Sequence, residues 1–271
     1  MRLITSMSGS AMRGRIVRLL RAFTVIMAVI LVAAAAYLPP GAIREHVETT
    51  RTTARYDPPV WAGQLVPVPC ANGGFYARDQ EKIILTIAAD CSVAKPGTVW
   101  RDADGRLIGT WGRLAELTDC PAGRFCSPAD IVSLELAPDR IPWGHLNLVD
   151  MGAGGYRTIA KGTPPLACSD IHVGDRAEVD GREHYRSGAV IEVAPYQFET
   201  DTMFPCMVLT DIEVHHGDSG GSVMVNGLPA GTTARDIGGR LAFTPLAEGL
   251  ANLGLVLCTT PDCDLSPPTS N

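Results

Sequence analysis

Glu213 to Val223 reads EVHHGDSGGSV, a serine set between an acid and two glycines just after a pair of histidines. Acyl transfer by a serine needs a sharp, glycine-bordered turn that presents the hydroxyl while backbone N–H groups aim at the developing oxyanion. GDSGG supplies such a turn, with Ser219 in the nucleophile's place. A chance glycine-rich turn is the competing reading of the pentapeptide taken alone. His215 and His216 precede Ser219 by four and three residues on a strand-like approach, so their side chains point to opposite faces.

Outward from this turn the chain alternates short runs rich in β-branched residues with Gly-, Pro- and Asp-bearing turns. The runs are IILTIA (83–88), IVSLEL (131–136), GAVIEV (188–193), CMVLTDI (206–212) and SVMV (222–225). Such spacing predicts an all-β barrel or sandwich. The segment MGAGGYRTIAKGTPP (151–165) is the best internal boundary and divides the runs into two sets. Near the end, Leu246, Leu250, Leu253 and Leu257 fall at spacings of four, three and four, the pattern of one apolar helical face. No internal repeat of 20–50 residues is visible.

With 271 residues and 46% hydrophobic composition, the chain is neither disordered nor collagen-like. Arg2, Arg13, Arg15, Arg18 and Arg21 precede any acid, and setting them aside takes the net charge from −6 to −11. They lead into AFTVIMAVILVAAAAYL (22–38), 17 uncharged apolar residues at the lower limit for crossing a bilayer. By the positive-inside rule residues 1–21 stay cytoplasmic and everything after Pro39 is exported. Residues 22–38 read as an uncleaved anchor or, alternatively, as a signal peptide cut after Ala34–Ala36, which would leave a secreted protein. A nucleic-acid-binding arm fits less well, since a solvated basic arm is not followed by an apolar run. Residues 39–59 read as a polar stalk, and the folded part starts near Val60.

All eight cysteines, Cys70, Cys91, Cys120, Cys126, Cys168, Cys206, Cys258 and Cys263, follow the apolar run, and export makes disulfides their natural use. Cys120/Cys126 and Cys258/Cys263 are near enough to close local loops, which leaves Cys70/Cys91 and Cys168/Cys206 as the preferred longer bridges. Zinc is the rival use, but no C-x-x-C pair is present, and neither metal nor cofactor is expected.

GDSGG, together with two further stretches in order, resembles the trypsin/chymotrypsin-like serine proteases, and more closely their bacterial exported members. ADIVSLEL resembles the family's DIALL strand and offers Asp130 as the triad aspartate; TIAADC resembles TAAHC, with Cys70 lying 21 residues before Cys91. The resemblance covers roughly residues 60–257. It implies two six-stranded antiparallel β-barrels (60–150 and 166–258) with a C-terminal helix and a tail at 259–271. It implies Ser219 as nucleophile, the N–H groups of Gly217 and Ser219 as the oxyanion hole, and a Cys70–Cys91 bridge. It also implies Glu213 at the floor of the specificity pocket, His216 at its rim, and AGTTA (230–234), with Thr232, as the strand that pairs with extended peptides. The family's IVGG-like activating N-terminus is absent, so Asp218 needs another partner.

The departure is the base: where the family has histidine this chain has Asp90. A carboxylate that titrates near 3.9 is a poor acceptor for a serine proton, and beside Asp130 it forms a like-charge pair in which one pKa rises. His216 sits poorly for reaching Ser219 while being oriented by Asp130, and His172 and His184, flanking a predicted turn at 173–183, read as surface residues. The expectation is therefore a membrane-anchored, exported protein of protease fold that binds a peptide or protein partner and is catalytically dead or nearly so. The alternatives are a working endopeptidase with a recruited or substrate-borne base, and a disulfide-stapled β domain unrelated to proteases. A reporter fused after Asn271 is expected to be active only outside the cytoplasm; cytoplasmic activity would overturn both the topology and the disulfide reading.

Overall fold

The strand nearest the expected nucleophile, Ser222–Val225, closes on the next through Asn226–Gly227, whose φ angles of 51° and 78° are those of a two-residue hairpin turn. The computed structural model describes residues 60, 62–63, 72–89, 95–101, 104–117, 119–120, 124–180, 185–197, 202–215 and 217–265. All of them fall in the unit Ala54–Asn271. The basic segment, the apolar run 22–38, the stalk and residues 266–271 of the tail lie outside the described residues. Among the described residues no helix is long and apolar enough to cross a membrane.

Two sheets organise the chain. The first is antiparallel and consists of β1 (Tyr76–Asp79), β2 (Lys82–Ile87), β3 (Val99–Arg101), β4 (Leu107–Leu114), β6 (Val132–Leu136) and the C-terminal β15 (Val256–Leu257), in the order β15-β1-β2-β6-β4-β3. Its strands read as nearly continuous apolar runs because both faces are covered: KIILTI of β2 buries every residue after Lys82. Leu85, Ile87, Ile108, Trp111 and Leu134 fill one side. Ile84 and Ala77 face the other, against Met224, Leu246, Leu250 and Leu253.

The second sheet contains β9 (Arg176–Asp180), β10 (Tyr185–Gln197), β11 (Thr202–Glu213), β12 (Ser222–Val225), β13 (Leu228–Ile237) and β14 (Arg240–Pro245). Its order is β10-β9-β12-β13-β14-β11, and pairing of β10 with β11 closes it into a six-stranded barrel. Val179, Val190, Val208, Val223 and Phe243 fill its interior. The short β5 (Phe125–Cys126) adds in parallel to the outside of β11. A hairpin of β7 (Leu148–Asp150) and β8 (Tyr156–Thr158) joins the two sheets where a plain linker was expected.

The fold is thus mostly β, with three differences from the expected layout. The first sheet takes its sixth strand from the chain terminus, and its pairing among the described residues is not closed. The helix α1 spans only Leu246–Leu253; Gly254, in the left-handed region at φ 67°, ends it, so Leu257 is buried as a strand residue and not as helix. Within the predicted turn at 173–183, residues 176–180 are strand, because the alternation of Ala177 and Val179 buries RAEVD as β9; residues 181–183 lie outside the described residues. Three disulfides are present, Cys120–Cys126, Cys168–Cys206 and Cys258–Cys263; Cys70 and Cys91 lie outside the described residues.

Glu178 on β9 ties the connecting hairpin to the second barrel. Its carboxylate accepts from Arg157 Nε at 3.1 Å and the Tyr185 hydroxyl at 2.9 Å, with Arg176 at 3.0 Å. Burial pushes its pKa up, but the hydrogen bonds from Arg157 and Tyr185 and the charges of Arg157 and Arg176 outweigh that and hold it below the usual 4.5. A depressed folded pKa stabilises the fold above the unfolded value and loses that contribution as pH falls through the folded one. Glu178→Gln is therefore expected to lower Tm at pH 6–7, with the deficit against wild type narrowing below about pH 4. A deficit independent of pH would show that the carboxylate's charge contributes nothing.

Candidate functional site

The GDSGG turn is held in shape from three directions. Gly217 and Gly220 have φ angles of 100° and 87°, which side-chain-bearing residues rarely adopt. At Gly220 a Cβ would also lie 2.5 Å from the Asn72 carbonyl oxygen, so glycine is required there twice over. Behind the turn, the Asn72 N–H donates to the Ser219 carbonyl at 2.9 Å, and the Ser222 hydroxyl donates to the Gly74 carbonyl at 2.8 Å. Beside it, the Gly220 N–H donates to the Thr233 carbonyl, and the Thr233 N–H to that of Gly221.

Asp218 is fully buried, and the partner it needs is Arg186 on β10, whose Nη2 lies 2.5 Å from its carboxylate. The His215 N–H donates to the same oxygen at 2.7 Å, and Arg186 Nη1 donates to the Glu213 carbonyl at 2.7 Å. One guanidinium thus fastens both ends of the segment entering the turn. Ser219 itself is half-buried. Among the described residues, neither the Gly217 nor the Ser219 N–H donates to a backbone carbonyl.

Asp130 lies two residues ahead of β6 and is 1% exposed. Its N–H donates to the Thr244 hydroxyl at 2.8 Å, and its carbonyl accepts from the Ala89 N–H at 3.3 Å and the Thr232 hydroxyl at 3.5 Å. Ala129 and Ile131, on either side of it, meet α1 at Gly249, where a Cβ would lie 2.8 and 2.6 Å from them. The carboxylate of Asp130 faces Arg235 of β13, whose Nη1 is 3.4 Å away. A guanidinium is a permanent cation with no acceptor, so this neighbour neutralises the carboxylate and can take no proton.

The remaining expected residues are placed as follows. Thr232 is fully buried, its hydroxyl directed to the Asp130 carbonyl. Glu213 ends β11 with its side chain exposed, and His215 is exposed. His172 is exposed at the turn before β9. Asp90, His184 and His216 lie outside the described residues. Sequence reasoning missed Arg186, Arg235, Asn72 and Thr244. Arg235 left one weak signal, the first charge after the uncharged strand segment AGTTA. Arg186 left none, since its partner is 32 residues away in sequence.

No protein-family model and no curated protein matches the chain. Solved structures do share its fold. A chymotrypsin from Cellulomonas bogoriensis is 18% identical with a TM-score of 0.51, covering 74% of this chain and 99% of its own. Protease A of Thermobifida fusca is 20% identical at 0.53, covering 73% and 97%. A Nocardiopsis protease is 18% identical at 0.53, covering 73% and 98%.

Removing one partner of a buried ion pair leaves an uncompensated charge, at a cost of roughly 3–5 kcal/mol. Arg186 retains some exposure, so Arg186→Ala is expected at the lower end, about 3 kcal/mol by denaturant unfolding. A loss under about 1 kcal/mol would mean that the turn does not depend on this pair.

Proposed function

We propose that this is a trypsin-like protein that no longer cleaves peptide bonds and uses the cleft between its two sheets to bind an extended segment of a peptide or protein partner. The observation that carries this reading is the Arg235–Asp130 ion pair. In a serine triad the buried aspartate orients an imidazole and stabilises its cation during proton transfer. Here a side chain that cannot exchange a proton faces that carboxylate, and the sequence offers an aspartate, Asp90, where the base is expected. Losing the base of such a triad lowers turnover by a factor on the order of 10⁶.

The binding half of the proposal rests on β13. Past Thr233 the strand continues to Ile237 with β14 along one side. Among the described residues no strand pairs with its other side beyond the serine turn. Such an edge accepts an added strand through main-chain hydrogen bonds. We further propose that the domain acts outside the cytoplasm, tethered by residues 22–38 or released from them. The disulfides fit an oxidising compartment.

The test is labelling by a fluorophosphonate, which reports an activated serine directly. Wild type is expected to remain unlabelled. Asp90→His alone supplies an imidazole while Arg235 still faces Asp130, so it is expected to label weakly; adding Arg235→Ser is expected to raise labelling at Ser219 at least tenfold. Strong labelling of wild type, lost in Ser219→Ala, would establish the rival reading of an active endopeptidase with a recruited base.

A further inference from the structure

We infer that the cavity between the end of α1 and the first sheet binds a small aliphatic amino acid as its free zwitterion. It lies among residues that neither the serine turn nor the β13 edge uses, so it goes beyond the function proposed above. The cavity holds about 90 Å³. Its floor is apolar: Ile84 of β2, with Leu253 and Leu255 on either side of the glycine that ends α1, are buried and belong to the core that packs the helix on the sheet. A dry cavity of about 150 Å³ admits benzene, so this smaller one suits a branched aliphatic side chain.

The rest of the lining carries two cations and two acids. Lys82 and Ile84 share one face of β2, with Asp79 of β1 opposite Lys82 and Glu135 of β6 opposite Ile84. Lys82 Nζ donates to Glu135 at 2.8 Å, which leaves one charge of each sign. The remaining cation is Arg113 of β4, whose Nη2 donates at 2.6 Å to the Leu253 carbonyl, a neutral acceptor. Among the described residues its side chain has no other partner, so the Nη1 side of the fork is open to a carboxylate. The remaining acid, Asp79, accepts no hydrogen bond among the described residues and acts on Lys82 only through its charge. Ser133, which also lines the cavity, donates its hydroxyl to the Arg113 carbonyl at 3.2 Å and keeps its lone pairs for an ammonium.

These charges cancel, and that decides the ligand. A simple carboxylic acid would pair with Arg113 but leave Asp79 facing an anion, and a simple amine would do the reverse. Within a peptide, each chain end carries one of the two charges and an inner residue carries neither. A free amino acid holds both on one carbon, so its carboxylate can take Arg113, its ammonium Asp79 and Ser133, and its side chain the apolar floor. Because the rim is solvated, each contact sits at the low end for charge-assisted bonds, about tenfold in Kd for the Arg113 fork and about threefold for the single charge of Asp79.

The experiment titrates leucine, N-acetyl-leucine and leucinamide into the full-length chain in detergent and follows their methyl signals by saturation-transfer NMR. Leucine is expected to bind with a Kd on the order of 1 mM, as so small a ligand allows. N-acetyl-leucine, which lacks the ammonium, should bind about threefold more weakly, and leucinamide, which lacks the carboxylate, about tenfold. Arg113→Gln, whose amide can still donate to the Leu253 carbonyl, is expected to weaken leucine about tenfold and to erase its advantage over leucinamide. Asp79→Asn, on another strand and with no hydrogen bond to lose, should weaken leucine about threefold and erase its advantage over N-acetyl-leucine. If the Arg113 variant fails to fold, the Asp79 variant and the three ligands still decide. Equal binding of leucine and either blocked form to wild type, leucine affinity unchanged in both variants, or no binding at ten times the expected Kd would overturn the inference. Each of these results leaves the peptide proposal where it stands, because Arg113 and Asp79 belong to the first sheet and not to β13.

Discussion

Helix α1 meets the first sheet at Gly249 so closely that one added methyl group would strike Ile131 and Ala129. Those two residues flank Asp130, and the same seam receives the Thr244 and Thr232 hydroxyls from the second barrel. The position of the buried acid is therefore set by elements from both halves of the chain. Strand β15, which follows the helix, returns to pair with β1 and closes the connection. A change that moved α1 would shift the acid, the pairing of β1 with β15, and the packing of Phe75 and Met224 at once.

Two aspartates buried in this scaffold are each met by an arginine from a strand of the second barrel. Asp218 has Arg186, and Asp130 has Arg235. Desolvating an ion pair costs several kcal/mol, so neither is an efficient source of stability compared with apolar packing of the same volume. What such pairs supply is definition of place. Arg186 fixes the path into the serine turn by holding the Asp218 side chain and the Glu213 carbonyl together. Arg235 places a permanent cation against the Asp130 carboxylate. The glycine-bordered turn keeps its shape, while the buried carboxylate of Asp130 faces an arginine.

Much of the barrel architecture was legible because its strands obey local rules. SVMV, IVSLEL and CMVLTDI are short β-branched runs bounded by turn residues, and Asn226–Gly227 is a hairpin signal by itself. Where the reading failed, a tertiary cause is visible. Leu257 kept the helical spacing of the leucines before it, yet Gly254 ends the helix and β1 recruits the residue as a strand. RAEVD looked like turn, but Ala177 and Val179 face the barrel core, and Glu178 is paired with two arginines and accepts a hydrogen bond from Tyr185. Periodicity reports which residues want burial; it does not report which neighbour will bury them.

By itself the sequence determined the glycine-bordered turn around Ser219, the acid ahead of β6, the predominance of β structure and the two local disulfides, because each depends on residues close together in the chain. The tertiary structure decided what faces those residues. That Asp218 finds Arg186 and Asp130 finds Arg235, across 32 and more than 100 residues of chain, follows from closure of the second barrel and its docking on the first sheet. Charge pairing acts over a few ångströms and is indifferent to sequence separation, so its outcome is fixed only when the fold has brought the two side chains together.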